Sequence, residues 1–218
     1  MLNLFIFQES LNENRSSDFV AIGSLEHNKN LYHSGLVIQY DGAMYEFHYN
    51  CEIEYEPMIE SWHYIISKFI VSDEIPSFIA MCQNVKENAN PLFGYFYSGE
   101  SYDVHGNHQS LSDLGERMTC VGFCLNILSG FLEEDYLTYT DWDASSHGDT
   151  SYLKEHCTKH NLDITKISGS YRRITPKELL ISALSAKLPI RKHDIESVIP
   201  SFDDYLSKTM NPHSASES

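Results

Sequence analysis

The stretch from Leu31 to Asn50 leaves little freedom in what this chain can fold into. Two β-rich runs, 31–39 and 43–50, flank Asp41-Gly42, a dipeptide suited to a two-residue hairpin turn. With Asp41 and Gly42 at the centre of the turn, Tyr40 pairs with Ala43, and counting back along the ladder pairs His33 with Asn50. Side chains on a strand alternate faces with period two. His33, Gly35 and Val37 therefore share a face with Asn50, His48 and Glu46. One histidine at the head of an apolar strand thus has three candidate polar partners on its own face.

A second stretch, Met118-Thr119-Cys120-Val121-Gly122-Phe123-Cys124, places a cysteine where a helix should begin. Val121, Cys124, Leu125, Leu128 and Leu132 recur at three- and four-residue steps, with Thr119 or Ser112 as the cap and Gly130 late in the run. The positive end of a helix favours thiolate over thiol. A nearby imidazole completes an ion pair, and a third polar group holds that imidazole in one orientation. Cys120 fits the first role and His33 the second, with Glu46, His48 or Asn50 for the third. The Cys120 N–H would supply one oxyanion donor. Cys124, one turn further in, reads as a core residue. Cys120 and Cys124 could also form half of a zinc site, but no second pair follows. His105, His108 and His147 lie in polar loops at spacings that match no familiar metal site. Asp141 and Asp143, flanking Trp142, read as solvated acids.

The remaining pattern suggests strands over 2–7, 19–25 and 61–71, with a turn at 26–30. A helix should open at Ser72 or Asp73 and end near Asn88. A long loop fills 92–113, and loops of that length tend to be functional. Further on, the sequence suggests a loop over 138–151, a short helix over 151–160 and a strand within 164–174. Another helix is started by Thr175-Pro176 and runs to about Lys187. The polar end, 211–218, should fray. These elements make an α+β chain, expected as a single domain over 1–210.

Of the 218 residues, 31 are acidic and 15 are Lys or Arg, for a formal net charge of −16. That charge repels nucleic acid and anionic membrane surfaces. The five cysteines are odd in number and lack a disulfide-type spacing. The apolar start, Met1 to Phe7, has no basic segment before it and is cut short by Gln8 and Glu9, unlike a signal peptide. No run approaches the length of a membrane span. The expected setting is a reducing cytoplasm, either that of the producing cell or one reached by delivery without a cleaved signal.

His33-Ser34-Gly35-Leu36-Val37-Ile38, the Asp-Gly turn and Tyr45-Glu46-Phe47 together resemble the histidine strand of papain-like enzymes of the NlpC/P60 superfamily. Thr119-Cys120-Val121-Gly122-Phe123 resembles that superfamily's cysteine motif, with Val121 where Ser is usual. The histidine-first order resembles the circularly permuted branch, which includes permuted amidases, PPPDE peptidases and lecithin:retinol acyltransferase-like proteins. Tyr95-Phe96-Tyr97-Ser98-Gly99 is similar to a Tyr-x-Gly element upstream of the cysteine, which implies an oxyanion or substrate-binding role for Tyr97 or Tyr95. The family's third polar position falls at Tyr45, with Glu46 next to it. The resemblance covers about residues 30–52 and 92–132. It implies a papain-like fold, a central antiparallel sheet packed on the cysteine helix, and a Cys120–His33 pair working through an acyl-enzyme.

The expected activity is that of a thiol peptidase or amidase, including isopeptide cleavage, and it needs no metal or organic cofactor. Two alternatives stay open: lipid or thioester acyl transfer on the same fold, and a catalytically silent module that binds a protein partner. A peptide or protein substrate is favoured because 99–115, just before the cysteine, is polar and lacks the apolar run an acyl chain needs.

Overall fold

A computed structural model describes residues 5–6, 17–28, 30–59, 61–95, 99–110, 115–142, 151–167 and 172–209. Asp41 and Gly42 both take positive φ, 49° and 75°, as a type I′ turn requires. They join β3 (Asn30–Tyr40) to β4 (Ala43–Tyr49). Tyr40 pairs with Ala43, Val37 with Glu46 and Gly35 with His48, which is the register counted from the turn. β2 (Phe19–His27), β5 (Ile53–Pro57), β6 (His63–Ile66) and the short β1 (Phe5–Ile6) complete an antiparallel sheet in the order β1-β6-β2-β3-β4-β5.

One face of the sheet carries Val20, Ile22, Leu36, Ile38, Phe47, Tyr49 and Ile65 into the main core. The helices α1 (Ile75–Asn88), α2 (Cys120–Phe131), α5 (Pro176–Ser182) and α6 (Lys192–Thr209) contribute to that core. The shorter α3 (Ser151–Lys159) and α4 (Ile164–Ile167) gather Leu153, Cys157 and Ile167 into a small cluster of their own. Within the span expected as loop, 92–113, lie the two-residue strands β7 (Leu92–Phe93), β8 (Ser101–Tyr102) and β9 (His108–Gln109), and β10 (Arg117–Met118) follows just beyond it. They pair β7 with β10 and β8 with β9.

The opposite sheet face has a smaller core of Phe19, Ala21, Leu25, Val37, Met58, Trp62 and Tyr64. Its centre is a slot for one indole. Gly23 and Gly35 are cross-strand partners. A Cβ on Gly23 would lie 2.9 Å from the Trp62 ring, and one on Gly35 2.7 Å from it. Glycine inside a strand marks such a close approach.

The structure corrects several expectations. β6 ends at Ile66 because Ser67 turns the chain, its Oγ accepting the Phe69 N–H. Residues 164–167 form a helical turn rather than a strand, with the Asp163 carboxylate capping it through the Thr165 N–H and hydroxyl. α1 is preceded by a 3₁₀ turn, Ser72–Glu74, in which Glu74 accepts the Val71 N–H, so neither Ser72 nor Asp73 is its cap. α5 starts with the expected Thr175 cap and a reciprocal Glu178 contact but ends at Ser182. The 18-residue α6 was not anticipated, although Ile195, Ile199, Phe202 and Leu206 repeat at helical spacing. Residues 211–218 lie outside the described residues. Among the described residues, no helix is long and apolar enough to cross a membrane.

Candidate active site

Cys120 occupies the first position of α2, with Thr119 extended before it as the N-cap. The Thr119 Oγ1 accepts the Gly122 N–H at 3.2 Å, which fixes the helix entry. The half-buried Cys120 sulfur comes near the backbone N–H of Ser34, the residue after His33, which lowers the thiol pKa against burial.

That approach follows from the way β4 leaves β3. The His33 carbonyl accepts the Ser24 hydroxyl from β2 at 2.7 Å. In a trans peptide the C=O and the following N–H point in opposite directions, so the Ser34 N–H faces the β4 side. The β3–β4 ladder ends at Gly35–His48. Beyond it the chain turns through Asn50 and Cys51, with Cys51 at φ 63° and the Asn50 N–H on the Glu52 carbonyl. The gap opened there admits the end of α2. On the other edge of β3, the register with β2 steps from Leu25–His33 to Glu26–Leu31. Tyr32 is left as a bulge beside the site, and the β3–β4 count is unaffected.

His33 Nε2 lies 3.1 Å from His48 Nδ1. His48 Nε2 is 3.9 Å from Glu46 Oε1 and 3.7 Å from Glu54 Oε2. The Trp62 indole packs against both imidazoles, at centroid distances of 5.9 and 5.4 Å. Its Nε1–H donates to Glu46 Oε2 at 2.7 Å. Of the three candidate partners, His48 makes the contact to His33. Glu46 stands behind His48, and Asn50 lines the cleft wall in an exposed position. Trp62 and Glu54 were not singled out from sequence. The signal for Trp62 was the pair of mid-strand glycines that its ring requires.

Burial lowers the His33 pKa from 6.5 to about 4, the nearby His48 adds to the effect, and Glu46 opposes it. Burial pushes the Cys120 thiol up, against hydrogen bonds from the N–H groups of Ser34, Val121 and Cys120 itself. At neutral pH the resting pair is therefore thiol and neutral imidazole, not the ion pair expected from the helix terminus alone. Desolvation outweighs the dipole here.

His33 and Cys120 line one cleft of about 440 Å³. Tyr32, Asn50, Cys51 and Phe93 stand exposed at its mouth, and Tyr95 sits edge-on to Phe93. The far wall is the segment 172–176, which sequence reasoning did not connect to the site. Tyr97, Asp143 and His147 lie outside the described residues. Cys82 and Cys124 are fully buried, and Cys157 is buried in its own small cluster. Cys51 is the exposed thiol of the cleft. His108 is buried 3.2 Å from Glu100, and the His105 N–H donates to Asp103. Asp141 pairs with Arg191 at 2.7 Å rather than standing solvated alone. Among the described residues, no three His, Cys, Asp or Glu side chains gather as a metal-binding group.

No family model matches this sequence, and no curated protein or solved structure gives a significant match.

Proposed function

We propose that this chain is a cysteine hydrolase of papain-like, circularly permuted type, with Cys120 as nucleophile and His33 as general base. One observation carries the reading. His33 and Cys120, far apart in the chain, line the same cleft, and the His33 ring is tied to His48 through its Nε2.

The protonation pattern of the relay supports it. Two carboxylates lie on the Nε2 side of His48, and the proposed relay uses the tautomer with the His48 proton on that nitrogen. Its Nδ1 is then an acceptor, so His33 Nε2 donates and His33 Nδ1 carries a lone pair. A base that is to take a thiol proton needs that lone pair. As the sulfur attacks an amide carbonyl, His33 Nδ1 takes the thiol proton. It returns the proton to the departing amine, leaving a thioester on Cys120. Water, deprotonated by the same nitrogen, then releases the acid. Backbone N–H groups at the start of α2, that of Cys120 first, are placed to receive the oxyanion.

The cleft wall sets Asn50, Thr119 and Thr175 beside Phe93, Val121, Leu125, Ile174 and Pro176, polar groups and apolar surface together, as the backbone and side chains of a peptide-type substrate require. The test is the rate at which iodoacetamide alkylates Cys120, read by peptide mapping, alongside hydrolysis of a panel of peptide, isopeptide and thioester substrates. Cys120 should react faster than Cys82, Cys124 or Cys157, and His33→Ala should slow it at least tenfold with the fold intact by circular dichroism. A Cys120 rate unaffected by His33→Ala would overturn the assignment.

A further inference from the structure

We infer that the cleft takes a peptide with an aromatic side chain beside the bond that is cleaved, and that Tyr32 and Phe93 hold that side chain. The inference rests on Cys120 being the nucleophile and adds the class of substrate. It starts from where two exposed rings stand. A single exposed apolar residue is ordinary on a protein surface. Tyr32 and Phe93, 56% and 43% exposed, stand together on the cleft that Cys120 and His33 line.

Each ring is tied to one member of the proposed pair. Tyr32 is the bulge residue directly before His33, at the step in register between β2 and β3. Its ring packs against those of His27 and His33, both at centroid distances of 6.2 Å. Phe93 pairs with Met118 in the β7–β10 ladder, and the Gly94 N–H donates to the Met118 carbonyl at 3.1 Å. Met118 lies just before the Thr119 cap, so the strand that carries Phe93 is fixed to the entry of α2. The Phe93 ring sits edge-on to Tyr95 at 5.1 Å and to His156 at 6.2 Å. Both rings are thus held by neighbouring rings and keep part of their surface open. Val121 and Leu125, from the first turns of α2, add buried apolar surface to the same cleft. Rigid aromatic groups hold a planar ring by stacked or edge-on contacts and lose little side-chain entropy in doing so. A volume of about 440 Å³ admits one large side chain with its adjoining backbone.

Neutral alkylating reagents that differ in one group test this on the full chain. N-phenyl-iodoacetamide carries a ring where iodoacetamide carries hydrogen. Its rate at Cys120 relative to iodoacetamide should exceed the same ratio for free N-acetylcysteine by about tenfold. Tyr32→Ser and Phe93→Ser, both at exposed positions, should each lower that excess by about threefold, and the double variant should remove it. Tyr40→Ser, at an exposed aromatic on the far end of β3, should leave the ratio unchanged. N-acetylphenylalaninamide should slow the alkylation of Cys120 by iodoacetamide at concentrations where N-acetylglutaminamide does not. Should a cleft variant fail to fold by circular dichroism, the wild-type ratio and this protection decide. A phenyl ratio equal to that of the free thiol, or one that Tyr40→Ser lowers as much as the cleft variants do, overturns the inference and leaves the nucleophile in place. A ratio that the cleft variants leave unchanged does the same. N-hexyl-iodoacetamide outpacing the phenyl reagent, relative to the free thiol, overturns the aromatic peptide in favour of an acyl chain. Inertness of Cys120 to all of these reagents overturns the nucleophile and the inference together.

Discussion

In the proposed mechanism His33 sets the acid limit of the chemistry at Cys120, and its pKa lies far below that of an ordinary histidine. The fold lowers its pKa from 6.5 to about 4, by burial first and by His48 second, with Glu46 opposing. At about 1.36 kcal/mol per pH unit this is about 3 kcal/mol, which the ring's partial exposure discounts to about 2 kcal/mol. The lowered pKa means that the native state prefers neutral His33 and the unfolded chain takes up the proton first. The contribution of this residue to stability is fully present above 6.5 and is lost as pH falls from 6.5 to about 4. Reactivity behaves differently in that window, because His33 remains a base until about 4. The alkylation rate at Cys120 should therefore hold while stability declines. His48→Gln keeps a hydrogen-bonding side chain but removes the second imidazole's charge, so the acid limb should move to higher pH. The assay is the iodoacetamide rate at Cys120 across a pH range bracketing 4 and 6.5, paired with NMR titration of the His33 ring. A His33 titration at or above 6.5 would refute the reasoning, and so would an acid limb that His48→Gln does not move.

Three substitutions probe the scaffold around this pair. Gly35→Ala places a methyl group 2.7 Å from Trp62 and 3.0 Å from the His48 Cβ; it should cost about 1–3 kcal/mol in urea denaturation and lower the Cys120 alkylation rate. Trp62→Phe leaves the buried Glu46 Oε2 without its indole donor, for a loss of about 1–3 kcal/mol, and a neutral urea midpoint would mean that Glu46 finds another donor. Gly130→Ala drives a Cβ into the Tyr102 carbonyl oxygen, so α2 and β8 must separate; it should cost at least about 2 kcal/mol, and wild-type stability would show that their close approach is dispensable.

What could be read from sequence divides by how locally it is encoded. Two consecutive residues in left-handed conformation announce the hairpin, and from Asp41-Gly42 the period-two count puts His48 and Glu46 on the His33 face without any tertiary information. Choosing among His48, Glu46 and Asn50 needs one further fact, the point where β4 leaves β3. That point is set by the turn through Asn50 and Cys51, and nothing within 43–50 encodes it. Trp62 is one step more remote. Gly23 and Gly35 are conspicuous within apolar strands, but they become a slot only once β2 and β3 are in register, and the indole comes from the chain entering β6. The resting charge state also escaped the sequence, because a helix N-terminus signals a thiolate while the burial that overrides it belongs to the assembled site. Arg172 and Arg173 are the most distant case. They read as the end of a strand because the apolar residues around them, at 164, 167 and 174, fit a strand as well as a short helix. Their place in the cleft is fixed only when Ile174 enters the core and Thr175 caps α5. The groups proposed to break the bond sit on regular elements whose geometry is local. The wall of the cleft that faces them sits on a connection some 140 residues from His33, placed by packing, and loops complete clefts in this way because a rigid scaffold positions them.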